Sequence, residues 1–150
     1  MEAIYGPVPG VQPGDTFDNR AELRAAGLHR PLINGISGSG DRGAESIVLS
    51  GGYVDDEDHG DRIIYTGAGG RDVETGRQVK DQVFERQNRA LEASGESGAP
   101  VRVVRGHQCK PHGPPFGYRY DGLWRVVRWW REPGKDGFLV CRFELVPIAD

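Results

Sequence analysis

The residues best suited to chemistry are concentrated between Ser50 and Asp72, which read SGGYVDDEDHGDRIIYTGAGGRD. Gly51 and Gly52 end an apolar run and allow the backbone to approach another group closely. Tyr53 follows them at once, and Tyr65 ends the next apolar run. If the two runs form neighbouring strands, their ends share one edge of a sheet, and the two rings can form opposite walls of a slot. Such a slot suits a flat ring with an exocyclic amino group, from which nearby carboxylates accept hydrogen bonds.

The carboxylates from Asp55 to Asp61 allow several interpretations. An acidic run of this kind is commonly a solvated turn, and its spacing does not fit a calcium loop because the glycine and the distal glutamate are misplaced. A metal-dependent DNA hydrolase that uses Asp56 or Asp58 with His59 is an alternative function. No acidic residue here is followed at nuclease spacing by a Glu-x-Lys element, so we do not favour it. Both tyrosines, considered alone, also fit ordinary half-buried strand aromatics.

Histidine and cysteine are too sparse to indicate a metal site or a disulfide framework. His107, Cys109 and His112 share one proline-containing loop, but a fourth ligand at the usual zinc spacing is missing. The two cysteines, Cys109 and Cys141, are expected to be reduced thiols. We therefore predict no metal and no cofactor.

Two helices and five strands are predicted from hydrophobic periodicity and flanking turn residues. Asn19 is a candidate N-cap with a glutamate three positions later, so a helix is predicted from Arg20 to Ala26. A second helix is predicted from Val79 to Ala93, where apolar residues recur at nearly 3.6-residue spacing. β-Branched and aromatic runs predict strands at Ser46 to Leu49, Arg62 to Tyr65, Val101 to Arg105, Gly122 to Arg131 and Gly137 to Val146.

The last two predicted strands should form a hairpin. Glu132 to Gly137 reads EPGKDG, which supplies the chain reversal. In the final strand Leu139, Cys141, Phe143 and Leu145 form an alternating apolar set that we expect to face the core. The tryptophans of the preceding strand could form a stacking platform for single-stranded nucleic acid, but their position favours packing. The fold class is therefore α+β and strand-dominated, a closed or nearly closed β-barrel flanked by short helices.

Charge is distributed unevenly along the 150 residues, whose net charge is −3. Between Ala99 and Phe143 nine basic and three acidic residues give a local charge of +6, so the remaining residues carry −9. This asymmetry indicates either a basic face that binds nucleic acid or a scatter of solvated arginines. The chain has neither an apolar run near the ~18 residues of a membrane span nor a signal-peptide pattern, so we expect a cytoplasmic protein.

Eight short motifs in a fixed order resemble a known family. They are GPVPG from Gly6, HRP from His29, GGYVDDEDHG from Gly51, YTGAGGRD from Tyr65, QNRAL from Gln87, PVRVVR from Pro100, YRYDG from Tyr118 and GFLV from Gly137. Together they cover nearly the whole chain and resemble the SRA domain, also called the YDG domain. The resemblance implies a single SRA/YDG domain over residues 1–150 with a PUA-like β-barrel fold. It also implies a non-enzymatic reader that binds duplex DNA and flips 5-methylcytosine or 5-hydroxymethylcytosine out of the helix.

The same resemblance implies a base pocket in which two tyrosine rings enclose the flipped base. Asp56 matches a carboxylate that accepts from the cytosine amino group and disfavours thymine, which presents an oxygen at that position. Ala68 stands where some family members carry a hydroxyl residue beside the modified carbon, so the choice between methyl and hydroxymethyl is open. The implied pocket comprises Ser50, Gly51, Gly52, Tyr53, Asp56, Tyr65, Thr66 and Ala68.

Two loops that enter the duplex are also implied by the resemblance. The first insertion loop follows HRP and includes Leu32, Ile33 and Asn34. The second insertion loop, residues 73–80, includes Arg77 and Gln78. The candidates for phosphate contact are Arg30, Arg71, Arg102, Arg105 and Arg119.

The implied partners are double-stranded DNA that carries C5-modified cytosine and a nuclease domain fused in a longer protein. Bacterial members of the family serve as recognition modules of modification-dependent restriction endonucleases, and a chain that ends at Asp150, soon after its last strand, fits a truncated one. We expect this chain by itself to bind DNA without cutting it, and to have no membrane partner. A PUA-like RNA-binding module is a third alternative, which competition by RNA distinguishes.

Overall fold

A computed structural model describes residues 2–51 and 53–148. In chain order the elements are β1 (Thr16–Phe17), α1 (Arg20–Ala25), β2 (Ile36–Gly38), a 3₁₀ turn (Gly40–Arg42), β3 (Ala44–Leu49), β4 (Glu57–Asp58), β5 (Ile63–Thr66), α2 (Gln87–Ser97), β6 (Val101–Gly106), β7 (Tyr118–Pro133) and β8 (Leu139–Pro147). The predicted strand-dominated α+β class is confirmed. In the part of the chain described, no helix is long and apolar enough to cross a membrane.

The eight strands of the described residues belong to one sheet. Hydrogen-bonded neighbours follow the order β2-β3-β6-β7-β8-β5-β4, and β1 pairs with β7 away from this path. β3 and β6 run parallel, whereas the other pairs are antiparallel. Because parallel neighbours need a long crossover, β4, β5 and α2 all lie in the connection between β3 and β6. That connection carries most of the candidate site.

The predicted hairpin of the last two strands is confirmed. β7 and β8 pair antiparallel along their length and are joined by a turn at residues 134–137. Cys141, Phe143 and Leu145 are fully buried, as their alternation predicts. Leu139, which starts β8 beside the turn, is only half-buried. The hairpin therefore supplies a large part of the core.

The first helix agrees with its prediction to within one residue. The side chain of Asn19 accepts a hydrogen bond from the backbone N–H of Glu22 at 2.9 Å, as a helix N-cap does. The helix ends at Ala25, and Gly27 follows with a φ of 82°, the left-handed conformation that commonly ends helices.

The bounds predicted for the second helix were wrong. α2 begins at Gln87 instead of Val79, and Val79 and Val83 are exposed, so their helical spacing does not mark a buried face. The backbone N–H of Gln82 instead donates to the carbonyl of Leu139 at 2.8 Å. Arg86 then adopts a φ of 52°, which interrupts any helix arriving from the preceding segment. Tertiary hydrogen bonds to β8 thus override the local pattern.

The two strands that lead to the tyrosines are not neighbours, which corrects the premise used to place the slot. β6, β7 and β8 separate β3 from β5 in the sheet. The strands nevertheless meet, because the hydroxyl of Tyr65 in β5 donates to the carbonyl of Val48 in β3 at 3.1 Å. The twist of a sheet lets it curl, so distant strands face each other across its interior. Gly35 leaves room for this contact, since a Cβ there would lie 2.5 Å from the Tyr65 hydroxyl.

Candidate functional site

A cavity of about 290 Å³ lies where β3 and β5 end. The predicted pocket residues that line it are Ser50, Tyr53, Tyr65, Thr66 and Ala68. Gly51 and Asp56 line an adjoining cavity of about 190 Å³, and Tyr53 borders both cavities. Gly52 lies outside the described residues. The structure therefore brings most of the predicted pocket together, with Asp56 at its margin.

Tyr65 forms a fixed wall of the larger cavity. Its side chain is buried, and its hydroxyl is held by the carbonyl of Val48. Burial, reinforced by the negative charge of Asp56, raises the pKa of Tyr65 well above its ordinary value. The hydroxyl therefore stays protonated and remains a donor, which fixes the orientation of the ring.

Amide side chains hold the backbone of residues 67–70, which continues from this wall. Asn88 in α2 accepts from the N–H of Ala68 at 2.7 Å and donates to its carbonyl at 2.9 Å. Gln82 donates to two further carbonyls of the segment at 2.9 and 3.1 Å, and Gln78 donates to one of these at 2.9 Å. We call these three side chains the amide clamp. It braces the wall beside Ala68 through these hydrogen bonds.

Tyr53 forms the other wall and is positioned differently. It is half-buried on an irregular turn, and the guanidinium of Arg71 lies over its ring, 4.2 Å from the centroid. Asp55, two residues later, accepts from the backbone N–H of Lys135 at 2.9 Å. Arg142 donates to the carbonyl of Asp55. Contacts from other segments, more than burial, therefore hold this wall.

Asp56 is attached to the end of β5 and has an unusual acidity. One of its carboxylate oxygens accepts from the backbone N–H of Thr66 at 2.7 Å. Burial raises the pKa of Asp56 to about 6, although the hydrogen bonds to Thr66 and the positive charge of Arg142 act in the opposite direction. The carboxyl group therefore changes between acid and anion near neutral pH.

Asp58 lies only two residues further on, in the opposite environment. Arg105 donates to both of its carboxylate oxygens at 2.8 Å, and the thiol of Cys109 donates to one of them at 3.1 Å. Burial acts to raise the pKa of Asp58, but the hydrogen bonds, chiefly from Arg105, hold it below its ordinary value. Burial and the neighbouring Asp58 raise the pKa of Cys109 to about 12, so its thiol remains protonated.

The prediction that Arg102 contacts phosphate needs correction. Its side chain is 0% exposed. Its guanidinium donates to four backbone carbonyls, those of Ile4, Gly6, Gly27 and Leu28. A buried charge is tolerated only when its donors are satisfied in this way. Arg102 therefore anchors the N-terminal segment and the residues after α1 to β6.

Arg105 needs the same correction. Arg105 is buried and forms ion pairs with Asp58 and Asp121 at 2.8 and 2.9 Å. Arg119 is half-buried and pairs with Asp121 at 2.6 Å. Asp121 comes from the YRYDG motif, so this motif supplies an internal charge network that stabilises the fold. Arg105 is therefore not available to DNA, whereas Arg119 stays partly exposed.

The first insertion loop has an exposed apolar tip, and hydrogen bonds hold the residues on both sides of it. Ile33 is 88% exposed, and Leu32 is also exposed. Ile33 and Asn34 border the cavity of about 290 Å³. Arg20 donates to the backbone carbonyls on both sides of the tip. His29 lies 2.8 Å from the carbonyl of Asn34, and burial lowers its pKa to about 4, so it is neutral at physiological pH. This geometry suits a rigid wedge.

The second insertion loop begins with a capped turn. The side chain of Asp72 accepts from the backbone N–H groups of Glu74 and Thr75 at 2.7 and 3.1 Å. The Nε of Arg71 donates to the carbonyl of Gly76 at 2.8 Å, which closes the turn from the other side. Val73 is 99% exposed at its tip.

Gln78 needs correction as an inserting residue. It is 8% exposed, its side chain belongs to the amide clamp, and its N–H donates to Asp136 at 3.0 Å. Arg77 is exposed and can reach outward. Val73 is the outermost apolar group of the loop, and the sequence analysis did not single it out.

Of the arginines predicted to contact phosphate, Arg71 is exposed and Arg30 is half-buried. Arg30 forms a bidentate ion pair with Glu45. The hydrogen bond to Glu45 raises the pKa of Arg30 above its ordinary value. Arg24 and Arg30 also border a shallow cavity of about 450 Å³ beside the first insertion loop. Basic side chains therefore surround the loops, although the net charge is negative.

Within residues 2–51 and 53–148 no three His, Cys, Asp or Glu side chains are grouped so as to hold a metal ion. The acids that a metal-dependent hydrolase needs already have other partners. Asp58 pairs with Arg105, and Asp56 accepts from Thr66.

Sequence reasoning missed two residues that shape the site. Arg20 was considered only as a helix start, and it holds the first insertion loop and lines the larger cavity. Asn88 lies within the QNRAL motif, which by itself indicates no role for the amide. Both act on backbone groups remote in sequence, which no local pattern reveals.

The fold and the site together define a strand-rich recognition domain with a tyrosine-walled slot. The chain belongs to the SAD/SRA domain family, which matches residues 4–150.

Individual relatives agree with this assignment. The chain is 43% identical over 159 residues to the E3 ubiquitin-protein ligase ORTHRUS 2 of Arabidopsis thaliana, covering 95% of this chain and 25% of that protein. The modification dependent TagI restriction endonuclease superposes with a TM-score of 0.96 at 48% identity, over 99% of this chain and 54% of that one. The SUVH5 SRA domain bound to fully hydroxymethylated CG DNA gives a TM-score of 0.83 at 43% identity, over 98% and 95%. The chain thus spans about a quarter of ORTHRUS 2 and about half of TagI.

Proposed function

We propose that this chain binds duplex DNA and holds a flipped, C5-modified cytosine between Tyr53 and Tyr65. The observation that carries the proposal is the cavity of about 290 Å³ that both rings line. Kinship with the SUVH5 SRA domain, solved on hydroxymethylated DNA, and with a modification dependent endonuclease supports it. Stacking on aromatic rings contributes roughly 1–3 kcal/mol per base, which offsets part of the cost of unpairing.

Asp56 provides the choice of cytosine over thymine in this proposal. Its carboxylate accepts from the exocyclic amino group of cytosine and repels the oxygen that thymine presents there. The backbone groups of Ser50 and Gly51 contact the remaining base edge, beside Thr66, whose N–H donates to Asp56. Because the pKa of Asp56 is about 6, a protonated carboxyl forms at mildly acidic pH and can donate to that oxygen. Discrimination against thymine should therefore weaken as the pH falls through about 6.

Ala68 favours a methyl group over a hydroxymethyl group. Its side chain offers no hydrogen bond, and Asn88 already pairs with its backbone N–H and with one of the two lone pairs of its carbonyl. A buried hydroxyl without a partner loses its hydrogen bonds to water. We therefore propose that the domain binds 5-methylcytosine at least as tightly as 5-hydroxymethylcytosine.

The insertion loops and the arginines beside them contact the rest of the duplex. The exposed Ile33 on its rigid base fills the space that the flipped base leaves, with Leu32 and Asn34 beside it. Arg77 reaches the DNA from the second insertion loop. Arg30 and Arg71 contact phosphates and so position the domain, whereas the pocket specifies the base.

In this proposal the chain is the recognition module of a modification-dependent restriction endonuclease, and the cutting domain is a fused partner. The chain alone binds DNA and leaves it intact.

The test is a fluorescence anisotropy titration with duplexes that carry cytosine, 5-methylcytosine, 5-hydroxymethylcytosine or thymine at one position. Wild-type protein should prefer the methylated duplex, and Tyr53→Ala should lose about tenfold of that preference. Phe116→Ala removes an exposed aromatic ring that does not line the cavity, so it is the matched control. Both variants should keep salt-sensitive binding to any duplex.

Equal affinity of the wild type for the four duplexes would refute base recognition. If RNA displaces the labelled duplex as strongly as methylated DNA does, the RNA-binding alternative is favoured. Reproducible cutting by pure protein with Mg²⁺ would refute the reader-only role.

A further inference from the structure

Arg71 and Tyr53 together form the partition between two cavities. The guanidinium carbon of Arg71 lies 4.2 Å from the centroid of the Tyr53 ring, well within the range of a cation–π contact. Both residues line the cavity of about 290 Å³, and both also line a neighbouring cavity of about 340 Å³. The second cavity is bordered by the second insertion loop, including Arg77. The stacked pair therefore separates the base slot from that loop.

The loop fixes the far end of Arg71 as well as its backbone. Its Nε donates to the carbonyl of Gly76 at 2.8 Å, and its backbone pairs with Gln78 in an isolated β-bridge. A Cβ at Gly76 would lie 3.1 Å from a terminal nitrogen of Arg71, so the guanidinium packs tightly against the turn. The Arg71 side chain therefore has little conformational freedom where it contacts Tyr53.

A second connection joins the same two segments through the β7–β8 turn. The N–H of Lys135 donates to Asp55, beside Tyr53, at 2.9 Å. The next residue, Asp136, accepts from the N–H of Gln78 at 3.0 Å. One turn therefore braces the Tyr53 segment and the base of the second insertion loop, so the Arg71 stack acts between two fixed supports.

We infer that Arg71 is a positioning residue that sets the orientation of the Tyr53 ring and couples it to the second insertion loop. The inference rests on the proposed function and names a residue that determines its specificity. A guanidinium is planar and always charged, so it lies flat on a ring while donating in its own plane to Gly76. A lysine ammonium is a point charge and cannot do both. The turn of the second insertion loop thereby helps to fix the wall on which the base stacks.

The first arm of the test uses the protein without DNA. NMR spectra of tyrosine-labelled chain, with the Tyr53 ring signals assigned by Tyr53→Phe, are compared for Arg71→Ala, Arg71→Lys and Arg77→Ala. The Tyr53 signals should move in both Arg71 variants and stay in place in Arg77→Ala. Unchanged Tyr53 signals in Arg71→Ala would overturn the inference, whatever the domain binds.

The second arm measures the ratio of affinities for methylated and unmethylated duplexes. Arg71→Ala should lower this ratio about two- to fivefold, the range that a cation–π contact at an exposed site implies. Arg77→Ala removes the same charge from the neighbouring second insertion loop, so it should weaken binding to both duplexes alike and keep the ratio. Arg71→Lys should restore affinity for both duplexes without restoring the ratio.

The outcomes separate this inference from the proposed function. Equal affinity of the wild type for the two duplexes contradicts the proposed function itself. Three outcomes contradict the role of Arg71 and leave the proposed function intact. The wild-type preference for methylated DNA could persist in Arg71→Ala, it could fall equally in Arg77→Ala, or Arg71→Lys could restore it fully.

Discussion

The two tyrosine walls of the slot are held in position by different means. Tyr65 belongs to β5, is 3% exposed and hydrogen-bonds across the interior to β3. Tyr53 stands on a turn, is half-buried and is held by Arg71 and the β7–β8 turn. One wall therefore depends on the folded core, and the other depends on loop contacts. The slot therefore combines one wall that is part of the core with one that rests on contacts between loops.

The largest expected difference between the walls is in stability. Tyr65→Ala should lower the free energy of unfolding by about 3–5 kcal/mol, because it empties a buried aromatic site. Tyr53→Ala should cost about 1 kcal/mol or less, since its ring is half-exposed. Urea denaturation of the two variants measures both values. Similar losses of unfolding free energy in the two variants would contradict the difference between a wall in the core and a wall held by loops.

The two acids behind the Tyr53 turn extend the comparison to pH. The folded pKa of Asp56 is raised from 3.8 to about 6, so the folded state binds a proton before the unfolded state does as the pH falls. Ionised Asp56 thus opposes folding above about pH 6, by up to about 3 kcal/mol, and this penalty disappears below about pH 4. Asp56→Asn should therefore stabilise the chain near pH 7.5, with a gain that shrinks through this window in urea titrations.

Asp58→Asn is the matched substitution with the opposite sign. The folded pKa of Asp58 lies below its ordinary value of 3.8, so its ionised form stabilises the fold at higher pH. That stability is lost as the pH falls through the lowered pKa. Asp58→Asn should therefore destabilise the chain near pH 7.5. If Asp56→Asn destabilises it as well, burial does not dominate the acidity of Asp56.

A smaller effect is expected from the amide clamp behind the Tyr65 wall. Asn88→Ala leaves the N–H and carbonyl of Ala68 and the carbonyl of Val83 without their partner. The loss should be about 1–3 kcal/mol by urea denaturation. Arg89→Ala, at the next position of α2, removes only surface ion pairs and should change stability less. An equal change in the two variants would indicate that the wall does not need the clamp.

Motif order predicted most of the residues that line the candidate cavity, whereas physical patterns predicted most of the fold. Tyr53, Tyr65 and Thr66 are all predicted from the sequence, and all three line the cavity of about 290 Å³. Composition could not distinguish Arg102 from a surface arginine, because its role depends on carbonyls contributed by distant segments. Gln78 was misassigned for the same reason.

The sequence by itself determined the local features of this protein. Alternating apolar residues defined β8, the EPGKDG turn defined the hairpin, and Asn19 defined the start of α1, since each depends on residues a few positions apart. Only the tertiary structure decided that Tyr65 meets Val48 across three intervening strands. It also decided which arginines are buried and which stay at the surface. These outcomes depend on how far the sheet curls and which carbonyls it leaves to be paired, and both are properties of the whole packed chain.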